Sequence, residues 1–233
     1  MSNYQNNSFL DAITPVTRSL LIINFIIWVG CLLIPYSLVP NHLGLHYFMS
    51  KDFYLFQLVT YMFTHVDFSH LFFNMFALFM FGSVLERTWG PKRYLTYYFI
   101  TGIGAGLIQL LVIHIGVQSD LVKFGLTDLP PYELSVFYNS IPTTIGASGA
   151  VFGLLLAFGM LYPNAPLYLM FIPIPIKAKY FVIGYGLIEF FFGVSNRAGD
   201  NIAHFAHLGG MLFGIIMILY WKKKDKNNDY RYF

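Results

Sequence analysis

Residues 145–155 read IGASGAVFGLL and set one serine, Ser148, among small residues at the head of an apolar stretch. A serine in an apolar helix commonly bonds back to the carbonyl group one turn earlier and serves packing alone. A reactive role for Ser148 therefore requires chemical partners elsewhere in the chain, and the remaining sequence has to bring them beside it.

The composition is that of an integral membrane protein. Hydrophobic residues make up 57% of the 233-residue chain and charged residues only 11%, whereas soluble domains are about 25% charged. Residues 1–17 lack the basic and then apolar pattern of a cleaved signal peptide, so we expect the first apolar segment to remain as a span. The single cysteine, Cys31, lies in that segment, where we expect it to fill space as a small apolar side chain.

Six segments are apolar enough to cross a hydrocarbon core, which takes about 20 residues of helix. We expect them near residues 16–34, 70–85, 93–115, 147–161, 178–194 and 200–221. The second and fourth are short, which suggests that one end of each meets a cavity or loop within the membrane. The predicted fold is thus an all-α integral membrane bundle of six transmembrane helices at 16–221, between a short cytoplasmic segment at 1–15 and a basic cytoplasmic tail at 222–233.

Proline, glycine and aromatic residues mark the connections between these spans. Residues 35–69 are too aromatic for a solvated loop, and we expect them partly in the membrane interface. The sequence WGP at 89–91 should end the second span and begin the third. Residues 116–145 form a third connection, the proline-rich residues 162–177 should be extended, and residues 193–199 are suited to a movable lid.

The basic residues are distributed unevenly between the two sides of a six-span topology. Eleven of the 14 Lys and Arg residues fall on the side of both termini, and three, Lys51, Lys123 and Arg197, fall on the other. By the positive-inside rule, this split predicts that both termini are cytoplasmic. The basic run at 222–226 is then a topology anchor, and we expect no nucleic-acid partner.

Glycines offer a way to bring the serine against the sixth span. His207, Gly210 and Gly214 lie at positions i, i+3 and i+7 and share one helix face, while Gly149 and Gly153 form a matching pair beside the serine. Helices associate in lipid through close backbone packing, which glycine permits. If the two faces meet, the imidazole can reach the hydroxyl at about 2.6–3.2 Å, the geometry of a nucleophile and its general base.

His70 and Asn74 lie four residues apart at the outer end of the second span. Both can donate hydrogen bonds to the oxyanion that develops during acyl transfer. Bonds to other helices are the structural alternative for each residue alone. Polar groups within spans are nevertheless expensive, so a cluster of them indicates a functional site.

These motifs resemble those of the rhomboid intramembrane serine proteases: His70-x-x-x-Asn74 in the second span, Gly146-Ala147-Ser148-Gly149 in the fourth, and His207 before small residues in the sixth. The resemblance implies a six-helix rhomboid-like core that cuts peptide bonds in or near transmembrane helices, without a cofactor or metal. It implies that Ser148 is the nucleophile and His207 the general base and acid. It also implies an oxyanion hole of His70, Asn74 and the Ser148 backbone N–H, with single-span or polytopic membrane proteins in the bilayer as substrates.

Several residues refine this hypothesis. His207 matches the family histidine better than His204, because glycines follow it at the family's spacing; His204 is then a neighbour or a structural hydrogen-bonder. Phe152 stands where the best-known bacterial members of the family have a tyrosine, so the ring is kept and the hydroxyl is lost. Phe56-Gln57 stands where a Trp-Arg pair is common in the first loop of the family, and this difference is expected to alter how the loop is anchored. No acidic residue is placed to complete a triad, so we expect a dyad. Glu189 should face a polar partner or the membrane surface, or else relay protons.

Three alternatives stay open at this point. A lipase-like hydrolase requires Gly-x-Ser-x-Gly between a strand and a helix, which differs from the sequence here. A non-catalytic rhomboid-like binder would need neither the serine nor the histidine. A polytopic metal or ion transporter could use His65, His70, His204 and His207, but the sequence lacks the array of carboxylates that such a site would need. The expected location is a bacterial inner membrane, with the active site opening to the extracytoplasmic side.

Overall fold

The computed structural model describes residues 13–34, 39–169, 172–195 and 203–227. Its helices are α1 (Pro15–Leu33), α2 (Val39–Leu43), α3 (Gln57–Thr60), α4 (Phe68–Ala77), α5 (Ser83–Lys123), α6 (Pro131–Asn139), α7 (Ser148–Leu161), α8 (Ala178–Ser195) and α9 (His204–Asn227). A 3₁₀ turn (Tyr61–Phe63) follows α3, and a π-helical segment (Leu78–Gly82) joins α4 to α5. Two strands, β1 (Pro166–Leu169) and β2 (Ile172–Lys177), pair in antiparallel fashion. The predicted helical membrane class is confirmed, with a small hairpin added to it.

Four helical stretches of the described chain are long and apolar enough to cross a membrane. They are Pro15–Leu33, Phe68–Lys123, Ala178–Ser195 and His204–Lys226. Helix α7 is also apolar, but its 14 residues extend only about 21 Å, less than a hydrocarbon core of about 30 Å. The number of six spans therefore stays a prediction.

The longest stretch folds back on itself at Gly90, where φ is +78° and the residue before Pro91 leaves the helical region. A Cβ atom on Gly82 would lie 2.5 Å from the Tyr94 hydroxyl. In a continuous helix these two residues would be about 18 Å apart along the axis. The predicted break at WGP is thus present, and the segments before and after it pack together.

Two helices continue beyond the predicted ends of their spans, because a helix need not end where its hydropathy falls. Helix α5 continues to Lys123, and α6 occupies part of the region expected to be a connection at 116–145. Val117 and Leu121 of this extension pack against Tyr47 in a small apolar cluster. Helix α9 likewise continues to Asn227, so the start of the predicted basic tail is helical.

The proline-rich connection is extended, as predicted, and folds into the β1–β2 hairpin. Among the described residues each strand has one neighbour, so its proline residues need not donate to a second strand. Of the predicted lid at 193–199, the part up to Ser195 belongs to α8. The rest lies outside the described residues.

Gln57 organises the first connection. Its side chain is 0% exposed, and its Oε1 accepts hydrogen bonds from the backbone N–H groups of His46 and Tyr54. Its Nε2 donates to the carbonyl oxygens of His42 and Asp52. The expectation that Phe56-Gln57 affects how this loop is anchored therefore has a structural basis in the glutamine.

Charged side chains fix the positions of two helices. The carboxylate of Glu86 accepts hydrogen bonds from the backbone N–H groups of Val16 and Thr17, at the open N-terminus of α1. Arg93 donates to both oxygens of Asp225, at 2.8 and 2.6 Å, which ties the start of the chain after Gly90 to the end of α9. These contacts connect α1 and α9 to the same long helical stretch.

Candidate active site

Ser148 is the first residue of α7, and His207 lies near the start of α9. The Ser148 Oγ atom lies 2.8 Å from His207 Nε2, and the histidine is 8% exposed. Because Ser148 begins its helix, its backbone N–H has no partner within the helix. The hydroxyl, the imidazole and a backbone N–H that α7 does not use thus come together at one helix end.

Glycines permit this approach, although not with all the predicted partners. A Cβ atom on Gly210 would lie 2.8 Å from the carbonyl carbon of Gly149 and closer still to its oxygen, so α7 and α9 touch backbone to backbone there. Gly149 itself faces Ala105 of α5, and Gly153 faces Thr101 of the same helix. A Cβ atom on Gly149 would also lie 3.5 Å from the Ala206 carbonyl oxygen of α9, so Gly149 lies against both helices. The predicted contact with α9 is thus present at Gly149, whereas α5 occupies the side of α7 on which Gly153 lies.

Phe152 lies flat against the imidazole of His207. The two ring centroids are 4.1 Å apart and the planes differ by 5°. The ring of Tyr185 on α8 also packs against Phe152, with 4.9 Å between the ring centroids. The ring expected at this position thus limits the rotation of His207, without a hydroxyl of its own.

Glu189 overturns the expectation that no acidic residue lies behind His207. Its Oε2 atom is 2.9 Å from His207 Nδ1 and 2.6 Å from His204 Nδ1, and the carboxylate is buried. The predicted polar partners of Glu189 are therefore the two histidines. The signal in the sequence was a carboxylate inside a span, which is expensive without a partner. Groups of this type, all within 4.8 Å, could also hold a metal ion.

His70 lies beside the loop that leads into Ser148. Gly146 in that loop has φ of +123°, and a Cβ atom there would lie 2.7 Å from His70 Nε2 and 3.8 Å from Ser148 Oγ. The missing side chain at Gly146 is what lets the imidazole tip approach the serine. Asn74, one turn along α4, is buried and donates from Nδ2 to the His70 carbonyl oxygen at 2.9 Å.

His65 supports His70 from behind. The two rings meet edge to face, with centroids 4.9 Å apart. His65 is 5% exposed, and neither of its ring nitrogens has a hydrogen-bond partner among the described residues. Burial lowers the pKa of His65 to about 3, so the ring is neutral at physiological pH. It therefore packs against His70 without adding a positive charge.

An apolar cavity of about 480 Å³ adjoins this cluster. Asn74, Ser148 and Phe152 line one part of it, and side chains from β1 and α8, including Tyr168 and Tyr185, line another. The serine therefore lies at the wall of a space that can hold an apolar side chain. Fold and site together define a helical membrane protein with a hydrogen-bonded serine–histidine pair beside an apolar cavity.

The comparisons with known proteins identify the family. A family model described as the rhomboid domain matches residues 52–224, so the chain belongs to the rhomboid family. The chain is 33% identical over 160 residues to RHOMBOID-like protein 12, mitochondrial, of Arabidopsis thaliana, covering 67% of this chain and 43% of that protein. It is 31% identical over 169 residues to Rhomboid protease AarA of Providencia stuartii, covering 67% and 52%.

A third relative is Rhomboid protein 1, mitochondrial, of Saccharomyces cerevisiae, which is 28% identical over 167 residues, with coverage of 69% of this chain and 40% of the relative. The chain spans about half the length of the curated relatives it matches. Its apolar helices make it a membrane protein, and some relatives carry protease names. The relatives include mitochondrial, chloroplastic and bacterial proteins, so the comparisons do not support the expected bacterial inner membrane.

Proposed function

We propose that the protein is an intramembrane serine endopeptidase that cuts membrane proteins in or near their transmembrane helices. The observation that carries this proposal is the 2.8 Å contact between Ser148 Oγ and His207 Nε2 beside the apolar cavity. A nucleophile needs a base within hydrogen-bonding reach, and this pair meets that requirement. Membership of a family that contains named proteases supports the same activity.

The proposed reaction is acyl transfer to the serine followed by hydrolysis. Ser148 Oγ attacks the scissile carbonyl carbon while His207 Nε2 takes the hydroxyl proton, and His207 then protonates the leaving amine as the peptide bond breaks. Water, deprotonated by His207, hydrolyses the resulting ester and regenerates the free serine. The oxyanion of each step is stabilised by the Ser148 backbone N–H, His70 and Asn74, each donor contributing about 3–4 kcal/mol.

The substrate in this proposal is a transmembrane segment that has locally unwound. A carbonyl group within an intact helix is bonded to the backbone one turn later and is closed to attack. Asn74 and Ser148 at the cavity wall suit an extended backbone, and the apolar lining suits an adjacent side chain from within the membrane. Both termini are proposed to be cytoplasmic, with water reaching Ser148 from the extracytoplasmic side.

The test is cleavage of a single-span model substrate by the purified protein in detergent and in liposomes. We expect Ser148→Ala to abolish cleavage and labelling by a fluorophosphonate, and His207→Ala to lower both by at least about 10³-fold. Ser19→Ala, which changes an exposed serine on α1, is the matched control and should cleave normally. Cleavage by Ser148→Ala at the rate of the unchanged protein would exclude the proposed nucleophile.

A further inference from the structure

Glu189 joins two histidines of α9 to α8. His204 and His207 lie three residues apart on α9, and both present Nδ1 to the same oxygen, Oε2 of Glu189. The histidine rings are nearly perpendicular, at 85°, so they approach the carboxylate from different directions. All three residues are buried. The carboxylate is thus held from two sides by partners on a neighbouring helix.

This contact determines which nitrogen of His207 carries the proton. An ionised carboxylate only accepts hydrogen bonds, so the imidazole nitrogen 2.9 Å from it must carry a hydrogen. In a neutral ring with Nδ1–H, Nε2 is the acceptor. Nε2 is the atom that faces Ser148 Oγ, so Glu189 selects the tautomer in which His207 can take the serine proton.

We infer that Glu189 is the positioning residue of His207, and that His204 acts by holding Glu189 in place. The inference rests on the proposed function, because it assigns a role within the same reaction. When His207 takes the proton from Ser148, the carboxylate also lies where it stabilises the imidazolium that forms. The reaction then uses a serine, a histidine and a buried glutamate from three different helices, α7, α9 and α8.

The two histidines have unequal roles in this arrangement. His207 contacts both the carboxylate and the nucleophile, whereas His204 gives the same carboxylate oxygen a second partner. A glutamate side chain has three rotatable bonds, and a single partner would leave it more freedom than two do. Loss of His204 should therefore loosen Glu189 and weaken the reaction without removing any reacting atom.

The experiment measures cleavage kinetics and the rate of fluorophosphonate labelling of Ser148 in the 233-residue chain. We expect Glu189→Gln to lower kcat and the labelling rate by about 100-fold, with KM within about twofold of the unchanged protein. Glu133→Gln, which changes an exposed glutamate on α6, is the matched control and should leave both unchanged. Thermal unfolding of each variant in detergent separates loss of structure from loss of chemistry.

Variants of His204 test the second half of the inference. His204→Ala should lower the labelling rate by about tenfold, while His204→Asn should stay within about threefold, because its amide N–H can replace the Nδ1 donor. If His204 acts only through the carboxylate, His204→Ala should add less than about twofold in a Glu189→Gln background. If the two substitutions lower the labelling rate by the product of their separate effects, His204 does not act through Glu189.

The outcomes also separate this inference from the proposed function. Failure of the unchanged protein to label at Ser148 would overturn both. Normal labelling of the unchanged protein and of Glu189→Gln would overturn only the role of Glu189. Loss of labelling on adding a chelator, restored by Zn²⁺, would replace the positioning role by a metal site made from Glu189, His204 and His207.

Discussion

Gly210→Ala adds one methyl group at the point where α7 and α9 touch. The new Cβ atom would lie 2.8 Å from the carbonyl carbon of Gly149 and 3.3 Å from its Cα atom, whereas ordinary contact begins at 3.4 Å. The oxygen of that carbonyl is closer still, and both neighbours are backbone atoms that cannot rotate away. The two helices therefore have to separate by about 1 Å, and overpacking of this kind typically costs about 1–3 kcal/mol of stability.

Separating the two helices moves Ser148 away from His207, the pair proposed to react. Ser148 precedes Gly149 in the chain, and His207 lies one turn before Gly210 on the same helix face. If the 2.8 Å contact between Ser148 Oγ and His207 Nε2 opens by about 1 Å, the two atoms are beyond hydrogen-bonding distance. A misplacement of about 1 Å can lower a rate by about 10²-fold, so we expect Gly210→Ala to reduce kcat by at least that factor.

The assay is the rate of fluorophosphonate labelling of Ser148, measured beside cleavage of a single-span substrate and thermal unfolding in detergent. Gly184→Ala on α8 is the control, because a Cβ atom there meets nothing within 4 Å. Alanine is also the better helix former by up to about 1 kcal/mol, so this variant should be fully active and no less stable. Gly149→Leu, which places a side chain against Ala105, should abolish activity. Labelling of folded Gly210→Ala at the normal rate would refute the role of this backbone contact.

Two further predictions concern the first connection and the start of α4. Gln57→Leu should lower the free energy of unfolding by about 2–3 kcal/mol, since it leaves buried backbone groups without partners. Phe56→Leu, at a neighbouring side chain that is 50% exposed, should change the free energy of unfolding little. Equal effects of the two variants in denaturation experiments would contradict the anchoring role of Gln57. Asp67 caps α4 by accepting from the backbone N–H of His70, and that bond, together with one from the Ser69 hydroxyl, lowers the pKa of Asp67. Asp67→Ala should cost about 1 kcal/mol at neutral pH. This stabilisation is present above the unfolded pKa of about 3.9 and is lost as pH falls through the lower folded value. The free energy of unfolding of Asp67→Ala should therefore approach that of the unchanged protein below about pH 4. If the difference between the two proteins did not depend on pH, the carboxylate would be excluded as its source.

Hydropathy, together with the helix-breaking glycine and proline residues, predicted most of the helical fold. The break at Gly90 followed from a glycine before a proline, because glycine adopts the positive φ and proline begins the next helix without needing its N–H. The extension of α5 to Lys123 could not be predicted in the same way. Its stability comes from Val117 and Leu121 packing on Tyr47, which lies about 70 residues earlier in the chain.

The meeting of Ser148 and His207 was predictable because each of them lies in a recognisable local pattern, whereas Glu189 does not. Its partners lie on a different helix, and their meeting depends on how α8 and α9 are rotated about their axes. Sequence periodicity assigns residues to faces of one helix but does not state which neighbour each face meets. A carboxylate inside a span indicated that it has a polar partner, and only the fold identifies its partners as His204 and His207.

The glycines of α7 show the same limit and its consequence for function. Small residues indicate a close approach, and the sequence favoured α9 as the neighbour of both Gly149 and Gly153. In the structure Gly149 lies against both α5 and α9, whereas Gly153 packs against α5, where the Tyr97 hydroxyl also donates to the Gly153 carbonyl oxygen at 2.9 Å. Helix α7 is therefore held by α5 on one side while Gly210 of α9 approaches the Gly149 carbonyl from another. The distance from Ser148 to His207 consequently depends on α5, a helix that holds none of the residues proposed to react.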